Sequence, residues 1–235
     1  MKRLCYIPLR EDEDLLRQAI IDLYDQVDSF KVINSTQRNI EPYLAEIDPA
    51  IKINFINPHS PLCFEQALNT AIKDSVLEDG MDFIVWGHND IRVQPGAVDA
   101  LMEKYEEVKD TRWGVIYGMY DTLCLFNPKF FIDENIWGDP ALFPNYFGDN
   151  HRYRLMDLRG YERFNCDKAA LLIKHIGSQT ITRHPYYGII NGLTFDLEGQ
   201  LYRKIWGGGP GQETYADPTC HGLYPLKSMT KDASI

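Results

Sequence analysis

Residues 81–93 read Met-Asp-Phe-Ile-Val-Trp-Gly-His-Asn-Asp-Ile-Arg-Val, an apolar run that passes straight into a histidine, an amide and a carboxylate before a turn at Gln94-Pro95-Gly96. The apolar residues Phe83 to Trp86 predict a strand buried on both faces, as in the middle of a parallel sheet. The polar triplet His88-Asn89-Asp90 then falls at the carboxyl end of that strand, where open α/β sheets bind their ligands. Asp90 is a hard oxygen ligand for a divalent cation, and an imidazole at His88 suits Mn²⁺ better than Mg²⁺. The competing reading is a polar strand end followed by an ordinary turn.

The flanking sequence alternates strand and helix. Leu4 to Pro8 reads as a first strand, and Leu15, Leu16, Ala19, Ile20 and Leu23 recur at helical spacing over Asp12 to Tyr24. A second strand covers Phe30 to Asn34 and ends in the polar Asn34-Ser35-Thr36; a third covers Ile51 to Ile56. Helices are predicted over Cys63 to Val76 and Ala97 to Val108, and a further strand over Trp113 to Tyr117. This order predicts an α/β fold with a mostly parallel central sheet flanked by helices. From about Gly199 the chain is rich in Gly, Pro and Tyr and reads as a loop-rich C-terminal extension.

The 235 residues suit a single α/β domain with such an extension. With 44% hydrophobic and 25% charged residues the chain is expected to be globular, not disordered. No apolar run approaches the ~20 residues of a spanning helix, and Met1-Lys2-Arg3 leads into a strand too short for a signal peptide, so a cytoplasmic location is expected. A net charge of −10 argues against a general nucleic-acid coat and leaves room only for a local basic groove. The five cysteines, Cys5, Cys63, Cys124, Cys166 and Cys220, include no C-x-x-C pair and read as reduced structural thiols.

Strand ends also nominate a nucleotide site. Pro8, Arg10 and Glu11 lie at the carboxyl end of the first strand and Asn34, Ser35 and Thr36 at that of the second, positions from which a base and ribose can be gripped; the alternative is plain surface loops. The run Trp206-Gly-Gly-Gly-Pro-Gly211 lacks the Gly-Lys-Ser/Thr ending of a phosphate loop. Its backbone at Gly207 and Gly208 could still approach a phosphate or sugar closely, and Trp206 could stack on a sugar face or serve as a core residue. His221, in the tail, could close over a donor.

Taken together, these segments resemble the family-2-like nucleotide-sugar glycosyltransferases of bacterial and phage type, which have the GT-A fold. Phe83 to Met102 is similar to that family's strand, metal triplet, Pro-Gly and helix segment. Asn145-Tyr-Phe-Gly-Asp-Asn-His-Arg-Tyr-Arg-Leu155, followed by Gly160-Tyr161, is similar to its acceptor-side stretch, where an acidic pair opens a helix that ends at glycine. Lys174-His-Ile-Gly-Ser178 and Tyr202 to Glu213 fit later pieces. Two positions depart from the pattern: the first carboxylate of the metal triplet is His88, and the first acid of the pair is Gly148.

The resemblance implies an enzyme of the hexosyl- or pentosyltransferase class, with residues 1–117 as the nucleotide-sugar half, 118–198 as the acceptor half, and 199–235 closing over the site. It implies Asp90 as metal ligand, with His88 and His175 as further ligands of Mn²⁺ or Mg²⁺, and Asn89 beside the nucleotide. His175 taken alone reads equally as a core or loop histidine. Asp149 would be the base of an inverting transfer from a nucleoside-diphosphate sugar to a hydroxyl acceptor, a glycan or a hydroxymethylated DNA base, in the host cytoplasm if the chain is phage-encoded. As an aspartate before Asn-His-Arg-Tyr it also reads as a helix cap. The two departures keep a non-catalytic carbohydrate- or nucleotide-sugar-binding protein open. A nucleotidyltransferase ranks third, because Pro8 to Asp12 holds no glycine.

Overall fold

The computed structural model describes residues 1–216 apart from 46, 78–80, 135–136 and 178. The N-terminal half runs β1 (Leu4–Leu9), α1 (Glu13–Leu23), β2 (Ser29–Asn34), α2 (Glu41–Leu44), β3 (Ile53–Ile56), α3 (Phe64–Val76), β4 (Ile84–Gly87), β5 (Ile91–Val93) and α4 (Ala97–Val108). There follow β6 (Trp113–Tyr117), a 3₁₀ turn at Tyr120–Thr122, β7 (Leu123–Phe126), α5 (Pro128–Asp133) and α6 (Gly148–Leu158). The chain continues through β8 (Glu162–Asn165), α7 (Asp167–Ala170), β9 (Ile173–His175), α8 (Gln179–Arg183) and α9 (Pro185–Trp206). Every strand and helix expected from the sequence up to Tyr117 is present within a few residues.

The described residues form a seven-stranded sheet in the order β3-β2-β1-β4-β7-β6-β8. Alternate residues of β1 explain its two layers. Cys5 and Ile7 face a core built with Leu16, Ala19 and Ile20 of α1 and Val98 and Leu101 of α4. Leu4 and Tyr6 face the opposite core, with Leu68, Ala71 and Ile72 of α3 and Phe130 and Phe131 of α5. A strand covered by helices on both sides must be apolar throughout, which is why β1 and β4 lack a polar face.

β7 is the antiparallel strand of the sheet, paired with both β4 and β6. The short link through the 3₁₀ turn leaves no room for the crossover that a parallel return would need. β5 leaves the main sheet and pairs antiparallel with β9, Ile91 opposite His175 and Val93 opposite Ile173. That small ribbon brings residue 175 to the end of β4.

Residues 199–206, expected to open a loop-rich extension, are helical, because α9 continues through Trp206. Gly199 lies inside this helix, and a Cβ there would meet the Phe147 ring at 3.0 Å. The glycine that reads as a breaker in sequence thus permits a close aromatic approach. The helix stops at Gly207, whose φ of 72° is the left-handed conformation of a C-terminal cap. Residues 217–235, with Cys220 and His221, lie outside the described residues, as does Ser178. Cys5, Cys63, Cys124 and Cys166 are free thiols, and burial pushes the Cys5 thiol far up. Among the described residues no helix is long and apolar enough to cross a membrane.

Candidate active site

The end of β4 is fixed from its neighbour: the His88 N–H donates to the Thr122 carbonyl at 2.9 Å. The chain turns at Asn89-Asp90 and enters β5, and the β5–β9 register sets His175 beside Asp90. His175 Nε2 lies 3.1 Å from both Asp90 carboxylate oxygens, and His88 Nδ1 lies 3.9 Å from Oδ1. One ligand atom from each of the three residues falls within 4.8 Å of the other two.

The charge states of His88 and Asp90 suit a cation, and His175 would give up its proton on binding one. Burial lowers the pKa of His88 against the pull of Asp121 and Asp90, so the ring is held neutral. Burial would raise Asp90, but the hydrogen bond from His175 and the two nearby imidazoles bring it below the usual carboxylate range. The His175 pKa is raised, chiefly by that same hydrogen bond. His88 Nε2 is buried with no hydrogen-bond partner among the described residues. Two imidazoles and a carboxylate are a donor set for Mn²⁺-like ions, so the residues fit the group expected from the sequence.

Two cavities meet at His88. The first, about 260 Å³, is lined by Pro8, Arg10 and Ser35 from the ends of β1 and β2, by Asn89 and Asp90, and by Thr180 and Tyr187. Arg10 Nε donates to the Tyr187 hydroxyl at 3.2 Å, and its guanidinium sits 5.0 Å from that ring centroid. Asp12, 7% exposed and with φ 67°, accepts from Thr180 Oγ1 at 3.1 Å and Arg183 Nη1 at 3.3 Å. These contacts tie α8 and the start of α9 over the carboxyl end of β1.

The remaining sequence-derived nucleotide residues have other partners. The Asn34 amide donates to the Arg38 carbonyl and to Asn57, and Thr36 Oγ1 donates to Asn34 Oδ1, so both brace the loop after β2. Asn34 lines a separate cavity of about 340 Å³. The Glu11 carboxylate pairs with Arg38, and its carbonyl accepts from Asn89 Nδ2 at 3.0 Å. Trp206 is fully buried with Phe143, Tyr202 and Ile205, and its Nε1 donates to His151 Nδ1, so it presents no face to a sugar. Gly207 and Gly208 belong to a turn folded on itself: a Cβ on Gly208 would lie 1.9 Å from the Gln212 carbonyl oxygen. Trp206, Gly207 and Gly208 line neither cavity at His88.

The second cavity, about 350 Å³, contains Asp149. Asp149 sits in the first turn of α6 but does not cap it; Phe147 holds the N-cap position with φ 61°. The capping reading of Asp149 therefore falls, since the backbone kink at Phe147 starts the helix two residues earlier. Burial, with the negative field of Asp121, raises the Asp149 carboxyl to about 6 against the opposing charge of Arg152. Beneath it, Arg152 Nη1 donates to Glu65 Oε2 at 2.6 Å, with the side chains 1% and 2% exposed. Glu65 and Asp121 both line this cavity, and both escaped the sequence reading. An acid in the first turn of a helix reads as a surface residue favoured by the helix dipole, and an acid in a 3₁₀ turn carries no pattern at all. The other acids near the site are engaged: Asp157 with Arg163, and Glu213 with the Tyr202 hydroxyl at 2.5 Å.

No protein-family model matches the chain, and no curated protein matches it significantly in sequence. Solved structures do. Two structures of glucosyl-3-phosphoglycerate synthase from Mycobacterium tuberculosis are similar with TM-scores of 0.50 at 12% identity, covering 70% of this chain and 68% and 70% of theirs. One was obtained in complex with Mn²⁺, UDP and phosphoglyceric acid, the other with Mn²⁺, UDP and glucosyl-3-phosphoglycerate. At that identity the likeness establishes the architecture, and the chain has a GT-A-type α/β fold, with a mostly parallel sheet between two helical layers.

Proposed function

We propose that the protein is a metal-dependent glycosyltransferase that moves a sugar from a nucleoside-diphosphate sugar to a hydroxyl acceptor with inversion. The observation that carries this reading is the convergence of His88, Asp90 and His175 at the end of β4, at the junction of two cavities, in a fold shared with a sugar-transferring enzyme. The neighbours' Mn²⁺ and UDP support a divalent cation and a nucleotide on the Pro8, Arg10 and Ser35 side. Held there, a divalent cation supplies charge neutralisation for the departing diphosphate.

The chain's own residues would do the rest. Arg10 and Ser35 grip the donor, and Tyr146, which lines both cavities, forms part of the wall between donor and acceptor. Asp149 takes the proton of the acceptor hydroxyl as its oxygen bonds to the anomeric carbon. The bond from that carbon to the diphosphate oxygen breaks, and the electron pair leaves with the diphosphate. A base on the face opposite the leaving group inverts the anomeric centre.

The test is calorimetric titration with UDP-, GDP-, CMP- and dTDP-sugars, in Mn²⁺ and in EDTA, followed by assay of donor hydrolysis. Metal-dependent binding with turnover supports the enzyme. Binding without turnover supports a non-catalytic sugar-nucleotide-binding protein, and equal affinity in EDTA removes the metal from the proposal.

A further inference from the structure

An acceptor hydroxyl can reach Asp149 only if the group that carries it enters the second cavity, so the lining of that cavity selects that group. Phe64, Phe147 and Phe195 supply apolar rings, and Asp121 and Asp149 supply carboxylates. No lysine or arginine is among the lining residues described. Glu65 is neutralised from below by Arg152. Asp121 forms no ion pair among the described residues, and its field raises the pKa of Asp149, Glu65 and Tyr153 alike.

A phosphate or carboxylate brought into this cavity meets two carboxylates and no lysine or arginine of the described lining, while a cation held at His88 would already be engaged by the donor diphosphate. At about 4 Å near a protein surface, one such like-charge contact is worth up to roughly a thousandfold in affinity before salt screening, and about 10–100-fold once screened. A neutral sugar meets what it needs: rings for its C–H faces and charged acceptors for its hydroxyl protons, which form short, strong hydrogen bonds.

We infer that the acceptor is a neutral polyhydroxyl compound, a glycan end without phosphate or uronate, and that Asp121 is the residue that selects it against anionic acceptors. This rests on the transfer reading of the same site. It separates the chain from its structural neighbour, which was obtained with phosphoglyceric acid. It also disfavours a nucleic-acid acceptor, which carries a phosphate at every nucleotide.

A glycan array presenting neutral oligosaccharides beside their phosphorylated and uronate-bearing counterparts, with a hydroxymethylated DNA duplex as a further arm, tests the inference. The tagged full-length protein is applied with UDP and Mn²⁺, and calorimetry on the same preparation measures the binding of UDP, GDP, CMP and dTDP separately. The expected result is retention of neutral glycans alone, with Asp121→Asn narrowing the neutral-to-anionic preference by about 10–100-fold, on a protein whose circular dichroism is unchanged. A purely structural role for Asp121 would lower all signals together. An anionic glycan or the duplex held as well as the neutral glycans, an unchanged preference in Asp121→Asn, or no array member held, overturns the inference. UDP binding with a preferred anionic acceptor overturns it alone, whereas failure to bind any of UDP, GDP, CMP and dTDP removes the transfer reading as well.

Discussion

His175 stands 3.1 Å from both oxygens of Asp90 across 85 residues of chain, because two three-residue strands, β5 and β9, pair in a register that sets Ile91 opposite His175. Two residues so placed hold each other's protonation state as well as each other's position. Buried Asp90 is held below the usual carboxylate range against its desolvation by the hydrogen bond from His175 and the two imidazoles beside it.

If these residues hold a cation, removing either should be felt in metal affinity before it is felt in stability. Asp90→Asn and His175→Ala should each weaken Mn²⁺ binding by at least the ~10–100-fold typical of losing even an outer partner of a metal site. Isothermal titration with Mn²⁺ reads this directly. Parental affinity in His175→Ala would make the histidine a structural partner of Asp90.

Asp149→Asn removes the proton acceptor while keeping the shape of the side chain. Turnover should fall by about 10²–10⁴-fold with nucleotide binding intact. Because Asp149 is not the helix cap, no capping energy is at stake, and since the folded state opposes its ionisation, stability at neutral pH should not fall. Near-parental turnover in this variant would send the search for the base elsewhere in the cavity.

The pH dependence follows from the sign of the same shift. Asp149 is raised from an ordinary 3.8 to about 6, so its ionisation is opposed by the folded state. Its contribution to stability is complete below pH 3.8 and is lost as pH rises through about 6. Catalysis runs the other way, because the base must be ionised. kcat/KM should therefore fall as pH drops below about 6, and Asp149→Asn should flatten this limb of the stability profile. Denaturant midpoints and initial rates collected from pH 4 to 8 check both slopes.

Only part of this site is visible in the sequence. The β4 triplet is legible because an apolar run ending in His-Asn-Asp is a local pattern. His175 is reachable only by resemblance, since nothing near Lys174-His-Ile announces which strand it will face. The glycine-rich run misleads for a physical reason: Gly207 and Gly208 serve a helix stop and a tight turn, the same backbone demands a ligand loop would make. Glu65 and Asp121 are legible in no window of sequence, because what distinguishes them is the burial and the company that the tertiary fold gives them.

The buried pair under the acceptor cavity sets the cost of disturbing it. Glu65→Ala leaves the Arg152 charge buried, with two of its guanidinium nitrogens already lacking hydrogen-bond partners among the described residues, and should destabilise by about 3–5 kcal/mol. The double replacement Glu65→Leu/Arg152→Met should recover most of this. Urea denaturation of the single and double variants separates the loss of the pair from the loss of fit.

At Gly148 a Cβ would lie 2.3 Å from Glu65 Oε1, although the backbone there is ordinary helix open to any residue. The carboxylate of Glu65 thus occupies the volume in which a side chain at 148 would begin, and positions 65 and 148 behave as a single address that admits one tenant. That carboxylate belongs to α3 and is held by Arg152, one turn along α6 from Gly148. An acid introduced at 148 should therefore require a small residue at 65, and on its own should disrupt the floor of the cavity.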